Sequence, residues 1–334
     1  MRKTFIIAEI GNTHEGSLGL AKCFIKAAAD CGVDAVKFQT HIFEAESLPN
    51  APNPPYFNEE TRKEYFERTA FKLKELKELK RFTEKEYGLE FISSPFSLEA
   101  VDLLQELGVK TYKIPSGEVS NIPLLVKIAR TNRKVLLSSG MSNWKELDEA
   151  VMSLKENGCK DLILLQCTSK YPSSPEDAGL NVLSEMKQRY KVPVGLSDHT
   201  LGLGVSIAAI VLGAEIIERH FTLSKLMYGS DAKYSLEPHQ LKLLTNCIRE
   251  VELAIHTKID KDEIAQHLKN IKEVFEKSIV ASCNIKLGTV IEERHLAYKK
   301  PGDGIPANKF REIIGKRVKK DLKKNYKFRW EDFE

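Results

Sequence analysis

The chain has 334 residues, 42% of them hydrophobic, and a formal charge of +4. That is enough apolar material for one large globular domain and one small one, which excludes a disordered chain. So small a net charge points by itself to neither nucleic acid nor membrane.

The first apolar run, FIIAEIG (5–11), meets Glu9 within a few positions. It is too short for a signal peptide or a membrane span, and no later segment is long enough either, so a cytoplasmic protein is expected. Seven further runs follow: AVKFQT (35–40), LEFISSPF (89–96), TYKIPS (111–116), KVLLSSG (134–140), DLILLQCT (161–168), VPVGLSDH (192–199) and EIIERHF (215–221). Helix-like, charged segments alternate with them. Runs apolar on both faces, each followed by a helical pattern, are what a parallel sheet covered by helices requires. Eight such repeats in roughly 250 residues predict an α/β fold, a (β/α)8 TIM barrel whose active site lies at the C-terminal ends of the strands.

One connection is long. Between the second run and its helix, residues 41–72 are Pro- and Asn-rich at the centre, which suits a lid or a substrate-binding loop. After the helical HQLKLLTNCIREVELAI the pattern changes to a mainly polar stretch, then to short β-like pieces with glycine turns. The expected organisation is a barrel over 1–257, a linker over 258–277 and a small domain over 278–334. Residues 301–334 carry ten Lys and Arg against six Asp and Glu, but no stacking array interleaves them, so a solvated face is expected, with no nucleic-acid partner. The six cysteines are scattered, mostly in apolar stretches and without a C-x-x-C pair, and reduced, buried thiols are expected.

Nearly every run begins apolar and ends in groups that can do chemistry. His199 in LSDHT and His220 in ERHFT end adjacent strands, with Asp198 and Glu218 beside them. Two imidazoles with waters suit an open divalent-metal site. Lys37 and Lys113 lie near the ends of barrel strands, where an unpaired ammonium is costly to desolvate unless an anion meets it. With Ser94, Ser116, Ser138 and Ser139 they suggest a cradle for phosphate and carboxylate. If the lysines have protein partners instead, Lys37 would bridge Glu9 and Lys113 would bridge Glu118. Glu9 and Glu118 can orient or deprotonate water, and Asp231 in YGSDAKYS can bind hydroxyls. The motifs of hydrolases, nucleotide kinases and dehydrogenases are not found.

In order along the chain, EIGNTHEGS, KFQTHI, SSPFS, YKIPSGE followed by N-x-PL, SSGM, CTS-x-YP, GLSDHT and ERHFT resemble the N-acetylneuraminate synthase family. KKPGDGI resembles that family's antifreeze-like (SAF) domain, so the resemblance spans practically the whole chain. It implies phosphoenolpyruvate and N-acetylmannosamine or a relative as substrates, and a domain-swapped homodimer whose small domain caps the partner's active site. By the same resemblance His199 and His220 bind Mn2+, with Mg2+ or Co2+ as alternatives, and Lys37, Lys113, Ser94, Ser116 and Ser138 hold phosphoenolpyruvate. Gln39, Ser169, Tyr171, Ser197 and Asp231 face the sugar, and Glu9 and Glu118 serve the proton and water steps. Lys300 stands where the family usually has an arginine reaching the partner's sugar, and Ser230 stands for a frequent proline. Those departures bring a legionaminic-type sugar in beside N-acetylmannosamine. A synthase of phosphorylated aldoses, or a carbohydrate-binding module, is the rival reading.

Overall fold

A computed structural model describes residues 3–53 and 59–334. Eight parallel strands, β1 (Phe5–Gly11), β2 (Ala35–Thr40), β3 (Glu90–Pro95), β4 (Thr111–Ile114), β5 (Lys134–Ser138), β6 (Leu162–Cys167), β7 (Val194–Asp198) and β8 (Ile216–His220), pair in sequence order, and β8 returns to β1 to close the barrel. Helices follow the strands, and their ends are written in the sequence. Leu18–Cys31 starts where the Ser17 hydroxyl accepts the Leu20 N–H and stops at Gly32, whose φ of 82° favours glycine.

Side chains alternate across each strand, so the barrel has two apolar layers. Ile7, Ala35, Ile92, Leu136, Ile163, Leu165 and Ile216 face inward and fill the lower barrel. Alternate positions such as Ile6, Val36, Phe91 and Ile217 face outward and pack with the helices. Continuing the inward series by two or four residues places Glu9, Lys37, Gln39, Ser94, Ser138, Cys167, Glu218 and His220 above the apolar plug, and Lys113 and Ser197 of β4 and β7 join them on the cavity. The site's polarity therefore follows from strand parity.

The chain divides into two compact units, Met1–His256 and Thr257–Glu334. In the second, an antiparallel pair, β9 (Ser278–Ala281) and β10 (Leu296–Lys299), encloses a core of Ile279, Ile285, Ile291, Ile313, Val318 and Phe328. The polar stretch ahead of it holds two short helices, Lys261–His267 and Lys269–Phe275. All six cysteines are free, but Cys23 and Cys283 are exposed, where buried thiols were expected. No described helix is long and apolar enough to cross a membrane.

Candidate active site

A cavity of about 820 Å³ opens among the C-terminal strand ends of the barrel. Of the residues singled out from sequence, Glu9, Lys37, Gln39, Lys113, Ser116, Ser138, Ser169, Tyr171, Ser197, His199, His220 and Asp231 line it. Ser94 lies just behind the wall, fully buried, with Lys37 Nζ 3.4 Å from its hydroxyl. Glu118 is not among the lining residues; its carboxylate accepts from Asn121 Nδ2 at 2.7 Å, and burial, reinforced by Glu46, raises its pKa. Lys300 belongs to the second unit, where its ammonium lies 4.8 Å from the Phe275 ring.

The floor is an ion cluster. Lys37 Nζ lies 2.8 Å from Glu9 Oε1 and 3.9 Å from Glu218 Oε1, and Lys113 Nζ lies 3.3 Å from that same Glu218 oxygen. Both lysines have protein partners, the alternative to a free anion cradle: Lys37 bridges Glu9, as that alternative had it, but Lys113 meets Glu218, not Glu118. The lysines are thus not bare ammoniums waiting for an anion. Burial opposes the Lys37 charge, yet Glu218 and Glu9 outweigh it and raise its pKa. Lys113 is lowered, first by burial and further by Lys37, with Glu218 opposing. Burial alone would raise the Glu218 carboxyl, but the two ammoniums hold it below the usual carboxylate range.

Asp198 does not join the histidines. Strand parity turns it to the outer face, where it binds Arg219 Nη1 at 2.6 Å, the Thr200 N–H at 2.8 Å and the Ser206 hydroxyl. This buried cluster ties the tips of β7 and β8 together from behind.

Four buried polar atoms of the wall have no hydrogen-bond partner: Glu9 Oε2, Ser138 Oγ, Glu218 Oε2 and His220 Nδ1. Buried polar groups are normally satisfied, so water, an ion or a substrate group is the expected partner of these four. The His199 and His220 rings are 5.3 Å apart. His199 Nδ1 is 2.8 Å from the Thr168 carbonyl, the arrangement that orients a ligating imidazole and leaves Nε2 to the cavity, where Tyr171 Oη is 3.3 Å away. Burial lowers the pKa of His220, favouring the neutral ring that can donate a lone pair. Among the described residues no group of three His, Cys, Asp or Glu forms a complete protein cage. The donor set fits an open divalent site with positions left for water and substrate.

Several cavity residues were not anticipated. Cys167 ends β6 facing inward, its Sγ 3.9 Å from His199 Nδ1. His41, Asn53, Arg62, Tyr65 and Phe66, individually unforeseen, bring the 41–72 connection into the wall, where a substrate-binding loop was expected; residues 54–58 of its Pro- and Asn-rich centre lie outside the described residues. Two glycines make room for these groups. A Cβ at Gly140 would lie 2.5 Å from Ser169 Oγ and 2.6 Å from Ser116 Oγ. Gly11, at φ 56°, lets Asp231 and Gln39 approach the end of β1.

Comparison with known proteins agrees. Residues 24–260 match the NeuB family and residues 276–334 the SAF domain. The chain is 43% identical to N,N'-diacetyllegionaminic acid synthase of Campylobacter jejuni, covering 97% of this chain and 98% of that one. It is 37% identical to human N-acetylneuraminate-9-phosphate synthase, covering 94% and 88%. A crystal structure of N-acetylneuraminic acid (sialic acid) synthetase from Leptospira borgpetersenii, in complex with citrate, superposes with a TM-score of 0.68 at 32% identity, covering 81% of this chain and 91% of that one. Barrel, cavity and relatives together define a condensing transferase of the nonulosonate-synthase class. The chain belongs to the NeuB family and carries a SAF domain after the barrel.

Proposed function

We propose that the enzyme condenses phosphoenolpyruvate with an N-acylated hexose and water, giving a nine-carbon 2-keto sugar acid and inorganic phosphate. The observation that carries this reading is the convergence of Lys37, Lys113, Glu9, Glu218, His199 and His220 on one cavity, with acceptor and donor atoms left unpaired.

In this reading Lys37 and Lys113 hold the phosphate and carboxylate of phosphoenolpyruvate, with Ser94, Ser116 and Ser138 adding hydroxyl contacts. Gln39, Ser169, Tyr171, Ser197 and Asp231 orient the open-chain sugar. A divalent ion held by His199 and His220, Mn2+ by preference, would polarise the aldehyde oxygen as a Lewis acid. C3 of phosphoenolpyruvate attacks the aldehyde carbon and the new C–C bond leaves C2 electron-poor. Glu9, a cavity residue whose Oε2 has no hydrogen-bond partner, accepts a proton from the water that adds at C2. The C2–O bond of the C2–O–P linkage then breaks and phosphate leaves with the electron pair and the C2 hydroxyl proton, giving the keto group, while the proton on Glu9 passes to the former aldehyde oxygen. The lysines meet the developing charge of the phosphate. Glu118, outside the cavity lining and held by Asn121, is not given a step in this reading.

N-acetylmannosamine is one acceptor for this chemistry. The 43% identity to a diacetyllegionaminic acid synthase favours a second, a 2,4-diacetamido-2,4,6-trideoxymannose. We also assign the enzyme to the cytoplasm and to a domain-swapped homodimer in which Lys300 reaches the partner's sugar.

Phosphate release from phosphoenolpyruvate with Mn2+ tests the reading, comparing N-acetylmannosamine, the diacetamido sugar and a phosphorylated aldose. Release with one unphosphorylated N-acyl sugar supports the reaction and selects the product. Release only with the phosphorylated aldose, or with none, overturns it.

A further inference from the structure

A continuous chain of contacts leads from the 41–72 connection to the cavity floor. Glu46 Oε1 is 2.7 Å from His41 Nδ1, and His41 Nε2 is 3.0 Å from Gln39 Oε1. Gln39 Nε2 donates to Glu9 Oε1 at 2.9 Å, the oxygen that Lys37 Nζ approaches to 2.8 Å. The direction of the chain follows from its end. The Glu9 carboxylate only accepts, so the Gln39 amide must turn its NH2 toward Glu9, which leaves its carbonyl to accept from His41 Nε2–H. A flipped amide would set its carbonyl against the Glu9 carboxylate and its NH2 against His41 Nε2.

The imidazole has little freedom to release that amide. It is sandwiched between Phe66, 3.8 Å away and tilted by 8°, and Phe96, 4.0 Å away and tilted by 21°. Phe96 follows β3 on the barrel, whereas Phe66 rides on the helix Arg62–Thr69 and Glu46 ends the short helix Phe43–Glu46. Glu118 lies within electrostatic reach of the same ring. The stack therefore joins the connection to the barrel at a ring whose edge also holds Gln39.

We propose that His41 is a positioning residue: clamped between connection and barrel, it fixes the Gln39 amide and through it the Glu9 carboxylate. The reacting face is then set only when the helix Arg62–Thr69 is seated. This rests on Gln39 and Glu9 acting at the substrates as proposed above.

His41→Gly leaves a ring-shaped slot between two phenylalanines beside the cavity, which permits chemical rescue in the full-length enzyme. With phosphoenolpyruvate, Mn2+ and the sugar the wild type accepts, kcat should fall on the order of 100-fold, the scale of a misplaced reacting group, with KM changing less. Added imidazole should restore at least about tenfold of this, while thiophene, of similar size but without an N–H, should not. Equal rescue by thiophene would reduce His41 to packing and overturn the proposal, as would undiminished turnover. Should His41→Gly fail to fold, Glu46→Gln keeps the shape of the chain's outer end; a roughly tenfold lower kcat at an unchanged unfolding midpoint is expected, and wild-type kcat overturns the proposal. A readout independent of turnover is a slowly exchanging His41 Nε2–H resonance, present in wild type and lost in Gln39→Ala. Its absence from wild type overturns the positioning chain. Its presence in a wild type that releases no phosphate upholds the chain and counts against the proposed function alone.

Discussion

Glu218 Oε1 stands 3.3 Å from Lys113 Nζ, and this contact governs the charge state of the cavity floor. Both side chains are almost wholly buried, and the same oxygen accepts from the Ser197 hydroxyl at 3.1 Å. Removing one partner of a buried pair strands the other charge, typically at roughly 3–5 kcal/mol. Glu218→Gln, nearly isosteric, should therefore lower unfolding free energy by about that amount and abolish turnover. Urea unfolding checks it, and a loss under about 1 kcal/mol would show that Glu9 alone neutralises both lysines.

Gly140→Ala should impair activity far more than stability. Its Cβ would press on Ser169 Oγ, Ser116 Oγ and Cys167 Sγ at 2.5, 2.6 and 2.9 Å, all three on the cavity wall. A fall of about tenfold or more in kcat/KM is expected from displaced groups at the site. Steady-state kinetics beside a thermal melt would show it, and unchanged kinetics would mean the serines do not touch substrate.

His14 makes the barrel acid-sensitive. The ring is buried against Phe71, with centroids 4.4 Å apart, and its Nδ1 accepts the Gly16 N–H at 3.1 Å. Burial, with the nearby Arg68 charge, lowers its pKa from 6.5 to about 3. The unfolded chain takes up this proton below pH 6.5 while the folded one does not, so the stability present above 6.5 is lost as pH falls toward 3. The slope approaches about 1.4 kcal/mol per pH unit. Unfolding free energies at pH 7.5, 6.0 and 5.0 should show this slope in wild type and a shallower one in His14→Gln.

Chelation should silence the enzyme and Mn2+ restore it. His220→Ala should abolish metal-stimulated turnover and weaken Mn2+ binding by calorimetry, while the unfolding midpoint stays near wild type. Full activity in the variant with metal present would remove His220 from the metal-binding pair.

The sequence made the barrel legible because burial and parity are local. Each of the eight apolar runs became a strand within two residues at either end, and the inward period of two carried Glu9, Lys37, Lys113 and both histidines to one mouth. Pairing was less visible, because partner choice depends on which strands become neighbours and how far each side chain reaches. Lys113 therefore chose Glu218 across the barrel over Glu118 five residues on. Asp198, beside His199 in sequence, went to the opposite face with Arg219, as alternation along β7 demands. The role of His41 had no signal in the motif KFQTH, since its partners Phe66 and Phe96 come from two distant segments.

The apolar layer of Ile7, Ile92, Leu136, Ile163, Leu165 and Ile216 has a kinetic meaning. Among the described residues it fills the barrel axis beneath the cavity. For reactants that enter from the strand-end side, the one that binds nearest this stopper has to arrive before the one that settles above it. Departure runs in reverse, with the deepest fragment escaping only after the upper one has cleared the entrance.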